Sequence, residues 1–105
     1  MLGFNSVDHL FDDAKALLAI RGEKKNADIV IAFLHWGAEY QHLPIDSQRT
    51  FGRAMVEAGA DVVIGAHPHV IEGMEVWKGK PIFWSLGNAV FDQDWSKQTQ
   101  EGMAV

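Results

Sequence analysis

The chain has 105 residues and a net charge of −5, enough for one domain; with 48% apolar and 22% charged residues it is an ordinary globular mix, not a disordered or repetitive one. Nine Lys and Arg are scattered among fourteen Asp and Glu, so no basic face is available for nucleic-acid phosphates or anionic lipid. Cysteine is absent, which excludes disulfide scaffolds and thiolate chemistry. No apolar run approaches the ~18–20 residues of a membrane span, and the N-terminus, with its early Asp8, lacks the basic start of a signal peptide.

Residues 1–7 read as a lead-in. A helix pattern follows from about Asp8 to Arg21, with Leu10, Phe11, Ala14, Leu17 and Leu18 on one apolar stripe. Ser6 or Asp8 is placed to cap it and Gly22 to end it. The charged stretch Glu23 to Asn26 reads as a solvated loop. The unbroken apolar run Ile29 to Leu34 predicts a strand buried on both faces, as in a parallel sheet, and it leads into His35. A loop with Pro44 precedes a second helix, from about Ser47 to Ala58. Phe51, Ala54, Met55 and Ala58 line its buried face, and Gly59 terminates it. Asp61 to Ile64 makes a short buried strand ending at Gly65. Val70 to Trp77 and Pro81 to Leu86 form two strands around a tight turn, where Gly79 supplies a positive φ. Gly87-Asn88 breaks the strand, Asp92 to Gln100 is polar, and Met103 to Val105 reads as the opening of another strand.

One internal echo organises these elements. Ala27-Asp-Ile-Val-Ile leads to His35, and Ala60-Asp-Val-Val-Ile leads to His67, at an offset of 33 residues, about one strand–helix–strand unit. Two neighbouring parallel strands would each deliver a histidine at the carboxyl end, the edge where open α/β sheets place their sites.

His67-Pro68-His69 is the strongest chemical signal. Pro68 biases His67 toward extended backbone, and residues two apart in an extended segment point the same way. Two neutral imidazoles on one side of a stiff loop suit a zinc-like ion, with His35 arriving from the adjacent strand. In His35-Trp36-Gly37-Ala38-Glu39, Glu39 is placed to orient an imidazole. Ser85-Leu86-Gly87-Asn88 can set an amide beside a bound anion or metal, and is also ordinary turn chemistry. His9 reads as exposed, and His42 lies in a loop from which it could touch substrate. Among the tryptophans, Trp77 and Trp84 flank the hairpin turn, while Trp36 and Trp95 are placed to border a cleft.

Taken in order, ADIVIAFLHWGAEY, EAGADVVIGAHPHVIEG and GKPIFWSLGNAVFD resemble the C-terminal half of the CapA-type bacterial capsule-synthesis (poly-γ-glutamate biosynthesis) proteins. That family is similar in fold to the calcineurin-like metallophosphatases. The resemblance therefore implies an α/β fold: part of an α/β/β/α sandwich, with parallel strand–helix–strand units followed by a β-hairpin. It implies metal ligands at His35, His67 and His69, with His69 and Asn88 nearest the reaction. Trp36, Glu39 and His42 would stand behind the ligands or touch substrate. Ala66 departs from the family pattern, which often has His there, and Ala89 from one that often has Phe. The family's upstream Gly-Asp, Asn-Leu-Glu and Asn-Asn-His motifs do not occur in this sequence, so the acidic ligands that would bridge two metals are missing.

Two functional readings follow. In the first, the chain is part of a metal-dependent, phosphoesterase-like hydrolase. In the whole protein two divalent ions (Mn, Zn or Fe) about 3.5–4 Å apart would clamp an anionic polymer or small-molecule substrate. This chain alone would be a half-site with little turnover, completed by an upstream half or by a second copy. In the second, it is a non-catalytic component of polymer assembly or export that keeps the fold as scaffold. The family likeness places either one at the bacterial cell envelope, outside the cytoplasm.

Overall fold

Short apolar runs form the inner strands, and two helical crossovers set them side by side in a sheet. The computed structural model describes residues 1–7 and 11–105. In chain order it has β1 (Leu2–Asn5), α1 (Asp13–Glu23), β2 (Ile31–His35), α2 (Asp46–Ala58), β3 (Val62–Ala66), β4 (Ile71–Trp77) and β5 (Lys80–Leu86), then a 3-10 turn at Gln98–Gln100. The five strands form one sheet in the order β1-β2-β3-β5-β4. All neighbours are parallel except β4 and β5, which pair as an antiparallel hairpin. The α/β class and the strand–helix–strand units followed by a hairpin are as the sequence predicts, and the arrangement is consistent with part of an α/β sandwich.

The two crossovers advance across the sheet in one direction, so their shared handedness puts both helices on the same face. There Ile20 of α1 and Met55 and Val56 of α2 pack on Ala32, Leu34, Val63, Ile82 and Trp84. Among the described residues, no α-helix packs on the other face. This corrects the expectation that β2 is buried on both sides: Ala32 and Leu34 are fully buried, but Phe33 between them is 37% exposed and Ile29 65%.

The first helix starts later than its pattern suggests. Its N-cap is Asp12, whose side chain accepts the Lys15 backbone N–H at 3.0 Å, not Ser6. Asp8, expected as a cap, His9, expected to be exposed, and Leu10, expected on the stripe, lie outside the described residues. The buried stripe is also rotated. Ala16 and Ile20 face the sheet, while Ala14 is exposed and Leu18 is 62% exposed. Gly22 lies within the last turn, and the helix ends at Lys24, whose N–H reaches back to the Ile20 and Gly22 carbonyls.

The second helix matches its expected span to within a residue and stops at Gly59, which adopts φ +120°. Its buried face adds Gly52, where a Cβ would stand 2.7 Å from the Trp84 ring and 3.1 Å from Trp36. A glycine there lets the helix settle onto two stacked indoles. The hairpin turns on Lys78 (φ +49°) and Gly79 (φ +78°), the two-residue geometry whose twist matches that of its strands. The chain's last residues do not form the strand expected of them: Gly102 makes one bridge to Gly87, and the Met103 N–H donates to Leu86 O.

No helix among the described residues is long and apolar enough to cross a membrane.

Candidate metal centre

Parallel pairing brings the two histidine-bearing strand ends side by side. His35 is in register with Ala66, the residue before His67, and the Trp36 N–H donates to Ala66 O at 3.0 Å. The rings of His35 and His67 lie 4.6 Å apart, with His35 Nε2 3.1 Å from His67 Nδ1. That separation suits a shared proton. It also suits two nitrogens on one tetrahedral ion, which bond lengths near 2.05 Å would set roughly 3.3 Å apart.

The loop that follows is not extended, contrary to expectation. His67 has φ +103° and His69 φ +62°, the left-handed region that side chains other than glycine rarely occupy. The preference of a pre-proline residue for extended backbone is overridden by tertiary bonds: Pro68 is buried and its carbonyl accepts the Tyr40 N–H at 2.8 Å. Convergence of the imidazoles thus comes from two unusual backbone turns. Strain of this kind persists where surrounding structure over-determines it, and it gathers at functional sites.

Glu39, His67 and His69 each offer one ligand atom, and these atoms lie within 4.8 Å of one another. Glu39 is exposed and both histidines are partly buried. His69 Nε2 stands 3.9 Å from Glu39 Oε1, while its Nδ1 lies 3.0 Å from Asn88 Oδ1. Two imidazoles and a carboxylate form a zinc-type donor set that keeps a position open, and a histidine held through its other nitrogen is how such ligands are oriented. The donor chemistry therefore fits a divalent ion. Sequence reasoning placed Glu39 behind the ligands. The fold brings its carboxylate in among them, because the turn at Gly37 (φ +88°) and Tyr40 (φ +61°) folds the loop back over Pro68.

The other candidates fall in different places. Trp36 does not border a cleft: it is 2% exposed, stacks on Trp84, and donates from Nε1 to Trp84 O at 2.9 Å. Trp95 is exposed, edge-on to Tyr40. His42 is exposed in the loop before α2 and is not among the converging ligand atoms. Asp92 and Asp94 are also exposed, outside that group.

Residues to which the sequence assigns no role at the site brace this edge. Tyr40 stacks on His69 with ring centroids 6.0 Å apart. Gln93, nearly buried, donates to the Tyr40 hydroxyl at 3.3 Å and accepts from Asn88. Beneath the loop, Gln48 accepts the Ile45 N–H and donates to the buried Glu72 carboxyl. Burial pushes the Glu72 pKa up, and its Oε1 has no hydrogen-bond partner among the described residues.

The broad class is an α/β protein with a mixed sheet, in which the parallel strands bring histidines to their carboxyl edge, where open α/β sheets place their sites. Within that class, the chain belongs to the bacterial capsule synthesis family PGA_cap, whose model matches residues 4–93. It is 57% identical over 74 residues to the PGA biosynthesis protein CapA of Bacillus subtilis (strain 168), covering 70% of this chain and 20% of that protein. It is 49% identical over 75 residues to the capsule biosynthesis protein CapA of Bacillus anthracis, covering 71% of this chain and 18% of that one. A probable polyglutamine synthesis accessory protein of Mycobacterium tuberculosis is 30% identical over 83 residues, 79% of this chain and 21% of the relative. The chain spans about a fifth of the length of these curated relatives. The CapA-type likeness read from the motifs is borne out.

Proposed function

We propose that this chain contributes the histidine-bearing part of a metal-dependent, metallophosphatase-like hydrolytic site to a CapA-type capsule or poly-glutamate biosynthesis protein. The observation that carries the reading is the convergence of Glu39, His67 and His69 within 4.8 Å. These three would hold one divalent ion of the Zn, Mn or Fe kind, with His35 beside His67 as a further ligand or as its orienting partner. When bound, such an ion polarises a phosphoryl or carbonyl oxygen and acidifies a water molecule. Glu39 offsets part of the ion's +2 charge, which three neutral imidazoles alone would leave uncompensated. Asn88 holds the His69 ring by its Nδ1 proton and keeps Nε2 turned toward Glu39. A second ion would draw its acidic ligands from outside this chain. An anionic polymer is the substrate class that fits: the protein carries −5 overall, so a local cation is what would admit a negatively charged chain.

Calorimetric titration of the chain with Zn²⁺ and with Mn²⁺, beside a His67→Ala, His69→Ala double variant, tests the reading. One ion per chain, lost in the variant, is the expected result. Absence of binding, or binding that survives in the variant, would sink it. The word "accessory" in the name of the Mycobacterium tuberculosis relative favours a second reading, a non-catalytic partner-binding component that keeps the fold as scaffold. Metal binding without hydrolysis of a generic phosphodiester, once the upstream half is supplied, would select that one.

A further inference from the structure

Four side chains from three loops close a ring at the candidate centre, and its hydrogen bonds run in one direction. The fixed point is a backbone carbonyl, which can only accept. Asn88 Nδ2 donates to Thr99 O at 2.9 Å and to Gln93 Oε1 at 3.2 Å. With the amide nitrogen committed twice on that side, Oδ1 faces His69 and can only accept. The bond between Asn88 Oδ1 and His69 Nδ1 must then take its proton from the imidazole. The same polarity passes the other way. Gln93, accepting through Oε1, is left to donate through Nε2 to the Tyr40 hydroxyl, and the Tyr40 ring lies over His69.

The carbonyl that sets this direction is itself anchored. Thr99 is fully buried, and its Oγ1 donates to Gln93 O at 2.6 Å and Ser96 O at 2.9 Å. The segment from Gln93 to Thr99 therefore holds its shape through its own bonds, and Asn88 reads that shape.

We infer that the Thr99 carbonyl, acting through Asn88 with Gln93 and Tyr40 as positioning residues, locks His69 as the Nδ1–H tautomer. Nε2 then carries the lone pair and is the only ring nitrogen able to meet a cation or an acidic proton near Glu39. Gln93 and Tyr40 touch none of the converging ligand atoms directly apart from the His69 ring face, so their effect passes through His69. The link from tautomer to cation binding rests on the proposed metal site; the tautomer itself does not.

Long-range ¹H–¹⁵N spectra of the ¹⁵N-labelled, metal-free chain at a pH where imidazole is neutral read the two ring nitrogens of His69 separately. The wild type is expected to show the proton on Nδ1. Asn88→Leu should move His69 toward Nε2–H, the form free imidazole side chains prefer, by roughly fivefold in the tautomer ratio, the worth of one hydrogen bond, and Gln93→Leu, which leaves the Asn88 bond to Thr99 O in place, should move it the same way by less. Asn88→Asp, which still accepts at that position, should restore Nδ1–H, and the backbone amide spectrum reports whether each variant keeps the fold. A proton on Nε2 in the wild type would overturn the inference. So would a His69 tautomer unmoved in folded Asn88→Leu. No metal is needed for this readout, so failure of zinc to bind would remove the metal site and leave the tautomer lock standing.

Discussion

His67 and His69 occupy left-handed backbone at φ +103° and +62°, and each such residue costs about 1–3 kcal/mol where the side chain is not glycine. Glycine adopts these angles without that cost, although it loses more freedom on folding. The variant His67→Gly should therefore stabilise the chain by about 1 kcal/mol, the strain relieved less the entropy added. It should also lose its response to Zn²⁺. Urea denaturation with and without the ion checks both effects, and a destabilised His67→Gly would mean that the imidazole's contacts outweigh its strain. The sequence named these two residues because a His-Pro-His triplet after a buried strand puts two imidazoles at one edge. It could not show how they converge. The pre-proline rule points to extended backbone, and the Tyr40 N–H bond to Pro68 O together with the burial of Pro68 opposes it. Glu39 is legible only as an orienting residue for a related reason: its arrival among the ligand atoms depends on a loop reversal through Gly37 and Tyr40, which residue types alone do not announce.

Among the elements, one carboxylate joins the most parts. Asp61, at the start of β3, accepts from Lys24 at the end of α1, from Lys80 at the start of β5, both at 2.7 Å, and from the Val30 N–H before β2 at 2.9 Å. The Lys24 and Lys80 bonds, with the Val30 N–H, hold its pKa well below the ordinary 3.8. A lowered folded pKa means stability that is whole above the ordinary value and drains as pH falls through and below it. Asp61→Asn should cost about 2 kcal/mol at neutral pH, as bonds to a charged group are lost, and should flatten the acid limb of a pH series of urea melts. An acid limb of unchanged slope in Asp61→Asn would show that other carboxylates carry it. Glu72 acts in the opposite sense, since its raised pKa makes stability decline as pH climbs above the ordinary carboxylate range. Periodicity places α2, the hairpin and the strands β2 and β3 correctly, but Leu2–Asn5, read as a lead-in, forms β1 and pairs with β2, because four residues are too few to show a strand pattern without their partner. The phase of α1 was not, because its apolar residues are spread around the helix and only packing selects Ala16 and Ile20 over Ala14 and Leu18.

At the scale of the whole molecule, α1 and α2 cover one side of the sheet, and the other side carries exposed apolar side chains among the described residues. Phe33, Met74 and Val76 stand at 37%, 53% and 61% exposure. An apolar sheet face of this kind is a site of association. The isolated chain should form concentration-dependent oligomers in light scattering, and Met74→Lys with Val76→Lys should return it toward monomer with its far-UV spectrum intact. A wild type that stays monomeric at the highest attainable concentration would contradict this. The apolar run of β2 predicted two faces that shun water. What it does not report is which covering layers lie within this stretch of chain, so the bare face was legible only as hydrophobicity. Strand alternation gives that face one more property. Phe33 and His35 are two residues apart on β2 and therefore share a side of the sheet. A layer laid over Phe33 ends as an eave above the imidazoles. A second copy seated on Phe33 would therefore lie beside His35, and the oligomers expected above should shield that imidazole from solvent as they form.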